Sequence, residues 1–347
     1  MTPLLEFRHV TKTFQRGLFN RQQTVAVEDF SFVVNTEPAS ITAVVGESGS
    51  GKTTLARLLL GVAAPTQGEV LYNGKDLRTL SRQERRTFRR EVQVIFQDPF
   101  DVYNPFYKVD HVLEVPIEKF GLAHSRQEKR ALAEQALKTV GLRPEETLGR
   151  YPHQLSGGQR QRIMIARALL LKPKLIIADE PASMIDASSR ATVLANLRQL
   201  NQEFGISFIY ITHDLTTAYQ ISQNIIVLYA GAVAEMGDVE LVVNQPLHPY
   251  TQLLIGSIPL PDPTRHWNPD GQAAQATASP LGPIGCKFAA RCPHVMPKCR
   301  SNAPPLYRTN PRRFTACYLH EAASPVSGAE IASAFASSPS PAGLQPS

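Results

Sequence analysis

Apolar residues in this chain come as short unbroken runs separated by stretches of helical spacing. Ile41-Thr42-Ala43-Val44-Val45, Leu175-Ile176-Ile177-Ala178, Ser207-Phe208-Ile209-Tyr210-Ile211 and Ile225 to Tyr229 each read as a buried strand. Leu55, Leu58 and Leu59 recur at helical spacing up to about Gly61. Val193, Leu194, Leu197 and Leu200 do the same across Ala187 to Phe204, with Gly205 as the expected C-terminal cap. Apolar strands alternating with helices predict an α/β fold with a mostly parallel sheet covered on both faces. Residues 98 to 154, rich in Glu, Lys, Arg, Ala and Leu, read as a helical insertion. The pattern breaks after Gly237. Pro261 to Pro280 reads as a linker, and Cys286 to Cys317 as a compact basic segment. Residues 322 to 347 are mostly Ala, Ser, Pro and Gly, too little apolar surface to order a tail. The expected organisation is a domain over 1–237, an extension over 238–321 and a disordered tail.

Composition adds little to this picture. With 43% hydrophobic and 19% charged residues, the chain reads as an ordinary soluble globular protein. No run approaches 18 consecutive apolar residues, and the N-terminus lacks the pattern of a signal peptide, so the cytoplasm is the expected compartment. A net charge of +6 permits contact with anionic lipid or nucleic acid and demands neither. All four cysteines lie between Cys286 and Cys317. In a cytosolic chain such clustering points to metal rather than disulfides. Their spacing, C-x5-C-x6-C-x17-C, is looser than common zinc or ferredoxin patterns, so four reduced structural thiols remain the competing reading.

The chemistry starts at Gly46-Glu47-Ser48-Gly49-Ser50-Gly51-Lys52-Thr53, which follows a strand and opens a helix. Glycines let the backbone wrap phosphates, Lys52 neutralises phosphate oxygens, and the Thr53 hydroxyl suits Mg²⁺. Asp179 ends an apolar strand, where a carboxylate can hold Mg²⁺ through water, and Glu180 beside it can polarise an attacking water. Gln97 ends Val94-Ile95-Phe96 where the insertion starts, and its amide oxygen can contact Mg²⁺ or hold water. His213 ends the third strand, and its imidazole can donate to a γ-phosphate oxygen; alone it would read as a structural histidine. Leu155-Ser156-Gly157-Gly158-Gln159 offers a hydroxyl and backbone N–H groups ahead of a helix expected from Gln161 to Leu171, a second anion site. A second phosphate site is redundant within one subunit and useful if it caps the nucleotide of another.

In this order the segments resemble the ATP-binding cassette (ABC) family. The resemblance covers about residues 4 to 237 and implies a P-loop NTPase cassette with antiparallel N-terminal strands and a helical insertion, and a small C-terminal extension. It implies that Gly46 to Thr54 is the Walker A loop, Gln97 the Q-loop, Ser156 to Gln159 the signature acting in trans, and Leu175 to Asp179 Walker B. Glu180 would be the catalytic glutamate and His213 the switch histidine. Ser183-Met184-Ile185-Asp186 takes the place of the D-loop, where the family usually has Ser-Ala-Leu-Asp. The bulkier Met184 and Ile185 are expected to alter packing across the dimer. Phe14, before a basic insert through Arg21, falls where the family stacks an aromatic on adenine; the competing reading is a core or turn aromatic.

His248-Pro249-Tyr250-Thr251, Gly285-Cys286-Lys287-Phe288, Arg291-Cys292-Pro293, Cys299 and Cys317 look like the hallmark of dipeptide, oligopeptide and nickel importer ATPases. Asp101-Val102-Tyr103-Asn104-Pro105 departs from the Ala-Ser-Leu-Asn-Pro more common there. The resemblance implies ATP and Mg²⁺ as ligands, with a [4Fe-4S] cluster favoured over zinc at Cys286, Cys292, Cys299 and Cys317. It implies a head-to-tail partner cassette, identical or paralogous, two membrane permeases, an external solute-binding protein, and a place at the cytoplasmic face of the membrane. The alternatives are a soluble ABC ATPase acting on nucleic acid or ribosomes, and an exporter subunit. Arg82, Arg85, Arg86, Arg89 and Arg90 share one helix face, read as a solvated basic face or as a contact for the anionic inner leaflet.

Overall fold

The computed structural model describes residues 2–16, 22–98, 102–258, 284–327 and 330–331. The insert through Arg21, Asp101, the 261–280 linker and most of the tail lie outside them. The chain forms two compact units. One comprises Met1–Asn35, Thr42–Asp76 and Thr212–Ser347, the other Thr36–Ile41 and Leu77–Ile211.

The first unit begins with strands β1 (Leu5–Arg16) and β2 (Gln22–Val34), followed by β3 (Ile41–Val45), helix α1 (Lys52–Leu59), β4 (Gln67–Tyr72) and β5 (Lys75–Asp76). β2, β1, β4 and β5 make an antiparallel sheet in that order. Phe7 sits opposite both Phe32 and Val70 and meets Phe30 edge-on at 5.6 Å.

The second unit holds α2 (Arg82–Glu91), β6 (Val92–Ile95), α3 (Asp110–Phe120), α4 (Arg126–Thr139), α5 (Pro144–Thr147), α6 (Gly157–Leu169), β7 (Leu175–Asp179), α7 (Ala187–Phe204) and β8 (Ser207–Thr212). β6, β7 and β8 are parallel, with Ile177 opposite Val94 and Ile209. Among the described residues of 98 to 154 lie the helices α3, α4 and α5. Their longest helix, α4, starts at a capping box in which Ser125 accepts from Glu128 N–H and Glu128 accepts from Ser125 N–H. Gly205 caps α7 at φ 65°, a left-handed turn that glycine adopts without a Cβ clash.

The five arginines do share α2, but three are committed to the protein. Arg85, Arg86 and Arg90 donate to the carbonyls of Leu77, Lys119 and Leu171 at 3.2, 2.8 and 3.4 Å. Arg86 also lies 5.4 Å from the centre of the Phe120 ring. These side chains latch α2 to its neighbours, while Arg82, Arg86, Arg89 and Arg90 stay exposed, so the solvated basic face stands with three of its guanidiniums also tied to carbonyls.

The rest of the first unit is α8 (Leu215–Ile221), β9 (Asn224–Tyr229), β10 (Ala232–Asp238), α9 (Val239–Asn244), α10 (Pro249–Gly256), α11 (Pro297–Ser301), β11 (Tyr307–Asn310) and β12 (Arg313–Thr315). β3 and β9 pair in parallel, Val44 opposite Ile226, and β10 follows β9 antiparallel. β12 then adds to β10, and β11 to β12, so the extension continues a sheet that begins behind the glycine-rich loop. Among the described residues no helix is long and apolar enough to cross a membrane.

Candidate functional site

The loop between β3 and α1 is built for close approach. Gly46 has φ 155° and Gly51 φ 104°; a Cβ on the first would lie 2.2 Å from the Leu228 carbonyl oxygen, and on the second 2.2 Å from that of Ala26. Only glycine fits either position. Ser50 N–H donates to the Glu47 carbonyl at 3.1 Å and Gly231 N–H to the Ser50 carbonyl at 3.0 Å, which closes the loop. Lys52 is buried, and its ammonium donates to the carbonyls of Gly46 and Glu47 at 2.7 and 2.9 Å. Gly51 is the N-cap of α1 and no side chain caps the helix, so its first N–H groups face outward for an anion. Ser48, Gly49 and Thr53 are exposed and Thr54 is half-buried at this end. Phe14, on β1, is 43% exposed with the Lys12 ammonium 5.2 Å from its ring centre, which rules out the core reading.

In the second unit Asp179 is the last residue of β7, and Glu180 follows at φ 46°. Such a backbone costs a non-glycine residue about 1–3 kcal/mol and marks an imposed geometry. It is imposed by three bonds: Glu180 N–H donates to the Ile211 carbonyl at 2.9 Å, while the Glu180 carbonyl accepts from Ser183 N–H at 3.2 Å and the Ser183 hydroxyl at 3.0 Å. The Gln97 amide donates to the Glu180 carboxylate at 3.2 Å, so two of the expected site residues do meet. The Gln97 segment is also tied to α6: Gln161 donates to the Phe96 carbonyl and Arg167 to that of Val94, both at 3.2 Å. Neither residue stood out in the sequence, because an internal polar side chain on an apolar helix has no local signature. His213, in the first unit, is exposed and precedes Asp214, which caps α8 by accepting from Thr216 and Thr217 N–H at 2.9 and 3.3 Å.

The Ser156 segment differs from expectation in its helix. α6 starts at Gly157, four residues before the expected Gln161, because Ser156 and Gln159 form a capping box at 2.9 and 3.2 Å. The Ser156 hydroxyl therefore orders the helix end, and the N–H groups of Gly157 and Gly158 lack intrahelical acceptors. A Cβ on Gly158 would lie 2.6 Å from the Ser189 hydroxyl oxygen, and one on Gly157 3.3 Å from the Ile185 side chain. Ile185 is thus turned inward at 8% exposure, while Met184 is 61% exposed. Of the two bulky substitutions only Met184 is presented outward, which corrects the expectation for the pair. Asp186 caps α7; its bonds from the Ser188 hydroxyl at 2.6 Å and Ser189 N–H at 2.9 Å hold its carboxyl well below the usual carboxylate range.

The C-terminal region reaches the glycine-rich loop. Tyr250 is fully buried, and its hydroxyl accepts from Glu47 N–H at 2.9 Å. His248 caps α10, its Nδ1 accepting from Tyr250 N–H at 3.0 Å. Buried Glu235 in turn accepts from His248 and Leu247 N–H at 3.0 and 3.2 Å. Burial, aided by His320, pushes His248 down to about 3, and burial pushes Glu235 up. The unfolded histidine protonates near its ordinary value of about 6.5. Between pH 6.5 and 3 the unfolded chain thus takes a proton that the folded one refuses, and stability falls with acidification by up to about 1.4 kcal/mol per pH unit. Glu235 acts with the opposite sign, since its folded carboxyl binds a proton first. His248→Asn keeps a capping oxygen and removes the titration. Chemical denaturation of this variant is expected to show a shallower loss between pH 6.5 and 5 than the parent; equal slopes would refute the assignment.

Cys286, Cys292, Cys299 and Cys317 carry no disulfide and line one pocket of about 10 Å³, room for about one water, together with His248, His294 and Tyr318. Burial raises the Cys286 and Cys292 thiols and pushes Cys317 up to about 11, so without a metal these three stay in the thiol form at neutral pH. Among the described residues no three His, Cys, Asp or Glu side chains form a group that could hold a metal ion. The donor chemistry suits a metal; the geometry as folded does not.

Comparison with known proteins gives the family. The ABC transporter family model matches residues 28–183, and the oligopeptide/dipeptide transporter C-terminal region matches 234–299. A probable peptide ABC transporter ATP-binding protein of Sinorhizobium fredii is 40% identical over 99% of this chain and 97% of its own. A di/tripeptide transport ATP-binding protein of Pseudomonas aeruginosa is 40% identical over 92% of this chain and 99% of its own. Among solved structures, a dimeric ATP-binding cassette in a post-hydrolysis state with ADP and phosphate superposes with a TM-score of 0.60 at 31% identity, covering 68% of this chain and 98% of that one. With its glycine-rich loop, Glu180 strand end, Ser156 helix cap and Tyr250 extension, the chain belongs to the ABC transporter ATP-binding proteins, in the group carrying the oligopeptide/dipeptide transporter C-terminal region.

Proposed function

We propose that this protein is the ATP-hydrolysing subunit of an importer that carries peptides across the cytoplasmic membrane. The observation that carries the reading is the Tyr250 contact to Glu47, which builds the oligopeptide/dipeptide-type region into the nucleotide loop itself. In this reading Lys52 and the N–H groups of Gly46 to Thr54 hold the phosphates of ATP, and Phe14 stacks on adenine. Thr53, Gln97 and Asp179 would hold Mg²⁺, which would supply positive charge against the transferring phosphoryl group. Glu180 polarises the attacking water, and His213 donates to a γ-phosphate oxygen. Ser156, Gly157, Gly158 and Gln159 serve the nucleotide of a second cassette, with Asp186 beside them at the seam.

The partners of that reading are a second cassette of like build and two permeases, at the cytoplasmic face of the membrane. An external solute-binding protein delivers the peptide, so selectivity lies outside this chain. The nucleic-acid alternative has no observation in its favour. A [4Fe-4S] cluster at the four cysteines would require them to open from their present packing; iron and acid-labile sulfide analysis of the purified protein decides it. The function is tested by purifying the native complex from membranes and placing it in vesicles. ATP-driven accumulation of di- or oligopeptide, abolished by Lys52→Ala, is expected. A complex without permeases, or uptake indifferent to ATP, would refute the proposal.

A further inference from the structure

Glu47 is gripped at both ends by the C-terminal region. Its N–H donates to the Tyr250 hydroxyl, and its carboxylate takes a two-pronged bond from Arg291: Nη1 to Oε2 at 2.9 Å and Nη2 to Oε1 at 3.0 Å. The Arg291 side chain is only 7% exposed, whereas Glu47 is 42% exposed. Aromatic rings fix the guanidinium from behind. It lies 5.6 Å from the centre of Tyr229 and 5.5 Å from that of Phe288, and it donates to the Tyr229 hydroxyl at 3.3 Å. Those two rings meet edge-on at 5.3 Å, and Tyr250 lies 4.5 Å from Tyr229. The fork, the rings and the phenol therefore form one rigid block. The block ends on the second residue of the loop, and the Glu47 carbonyl accepts from the Lys52 ammonium at 2.9 Å and from Ser50 N–H at 3.1 Å.

We propose that Arg291 is a positioning residue for ATP: through Glu47 it holds the nucleotide loop, and with it Lys52, in the phosphate-binding shape. This deepens the ATPase reading and rests on it. The physical reason is preorganisation. A loop of glycines is free to leave the shape in which its N–H groups converge, and apparent affinity falls by the fraction of molecules that have left it. A bidentate guanidinium–carboxylate pair restricts both the distance and the plane of Glu47, which a lysine cannot do. Arg291 directly precedes Cys292, so the segment bearing the cysteines is mechanically continuous with the site that reads ATP.

The alternative is a strut that only fastens the extension to the domain. The Lys287–Glu28 ion pair at 2.6 Å fastens the same segment without touching the loop, and so supplies the control. The test uses the full chain with trinitrophenyl-ATP titration and thermal melting without nucleotide. Arg291→Ala and Glu47→Ala are each expected to weaken nucleotide binding about tenfold, and the double variant no more than either alone. Arg291→Lys is expected to recover part of the loss. Lys287→Ala is expected to lower the melting temperature and leave affinity unchanged. Should Arg291→Ala melt below the assay temperature, Glu47→Gln tests the same bond from its exposed end and is expected to weaken binding severalfold. Unchanged affinity in Arg291→Ala or in Glu47→Gln, or additive losses in the double variant, overturns the proposal. A parent protein that binds no nucleotide at all would instead refute the ATPase reading.

Discussion

Glu180→Gln is expected to bind ATP with near-parental affinity and to hydrolyse it about 10²–10⁴-fold more slowly, the range that a positioned general base contributes. The change removes the proton acceptor and little else. The backbone of residue 180 is held by Ile211 and Ser183 through main-chain atoms, so its left-handed conformation does not depend on the carboxylate. Gln97 donates to one carboxylate oxygen at 3.2 Å, and a glutamine carbonyl can accept the same bond. Binding draws on the loop at 46 to 54, which the substitution does not touch. The trapped nucleotide should also hold two cassettes together, giving an ATP-dependent dimer on size exclusion. Phosphate release measured at saturating ATP decides the role, and near-parental turnover would reject it.

Gly51→Ala is expected to weaken nucleotide binding about 100-fold or more. Two effects add there. An L-residue at φ 104° is strained by about 1–3 kcal/mol, and its Cβ would stand 2.2 Å from the Ala26 carbonyl oxygen, backbone that cannot rotate away. Relief requires moving the first turn of α1, and with it the N–H groups that would meet the phosphates. At about 1.4 kcal/mol per tenfold, a penalty of about 3 kcal/mol is two decades of affinity. Gly49→Ala supplies the comparison: it too has positive φ, 79°, but a Cβ there meets nothing within 4 Å. It is expected to cost less than tenfold. Equal losses at the two glycines in an ATP-analogue titration would show that strain alone, not the contact with β2, shapes the loop.

Much of this was open to reading in the sequence. The runs at 41–45, 175–178, 207–211 and 225–229 all form strands, and the 187–204 helix ends at Gly205 as its spacing implies. Continuous apolar runs have few other places to go in a folded chain. α6 starts earlier than its glycines imply, because they lower helix propensity while the Ser156–Gln159 capping box, itself a local signal, outweighs them. Periodicity places the arginines on one face of α2 and says nothing of which carbonyls lie opposite.

Order and identity of residues along the chain determined the phosphate loop, the Asp179–Glu180 strand end and the Ser156 cap. Each is a local device announced by its neighbours in sequence, although distant residues finish its shape, as when Ile211 holds Glu180 and Gly231 closes the phosphate loop. Tertiary structure alone decided that Gln97 meets Glu180, that Ile185 turns in while Met184 turns out, and that Tyr250 and Arg291 grip Glu47. Those contacts join residues tens to hundreds of positions apart. A hydrogen bond between them depends on where whole strands and helices come to rest, and no local pattern of side chains records that.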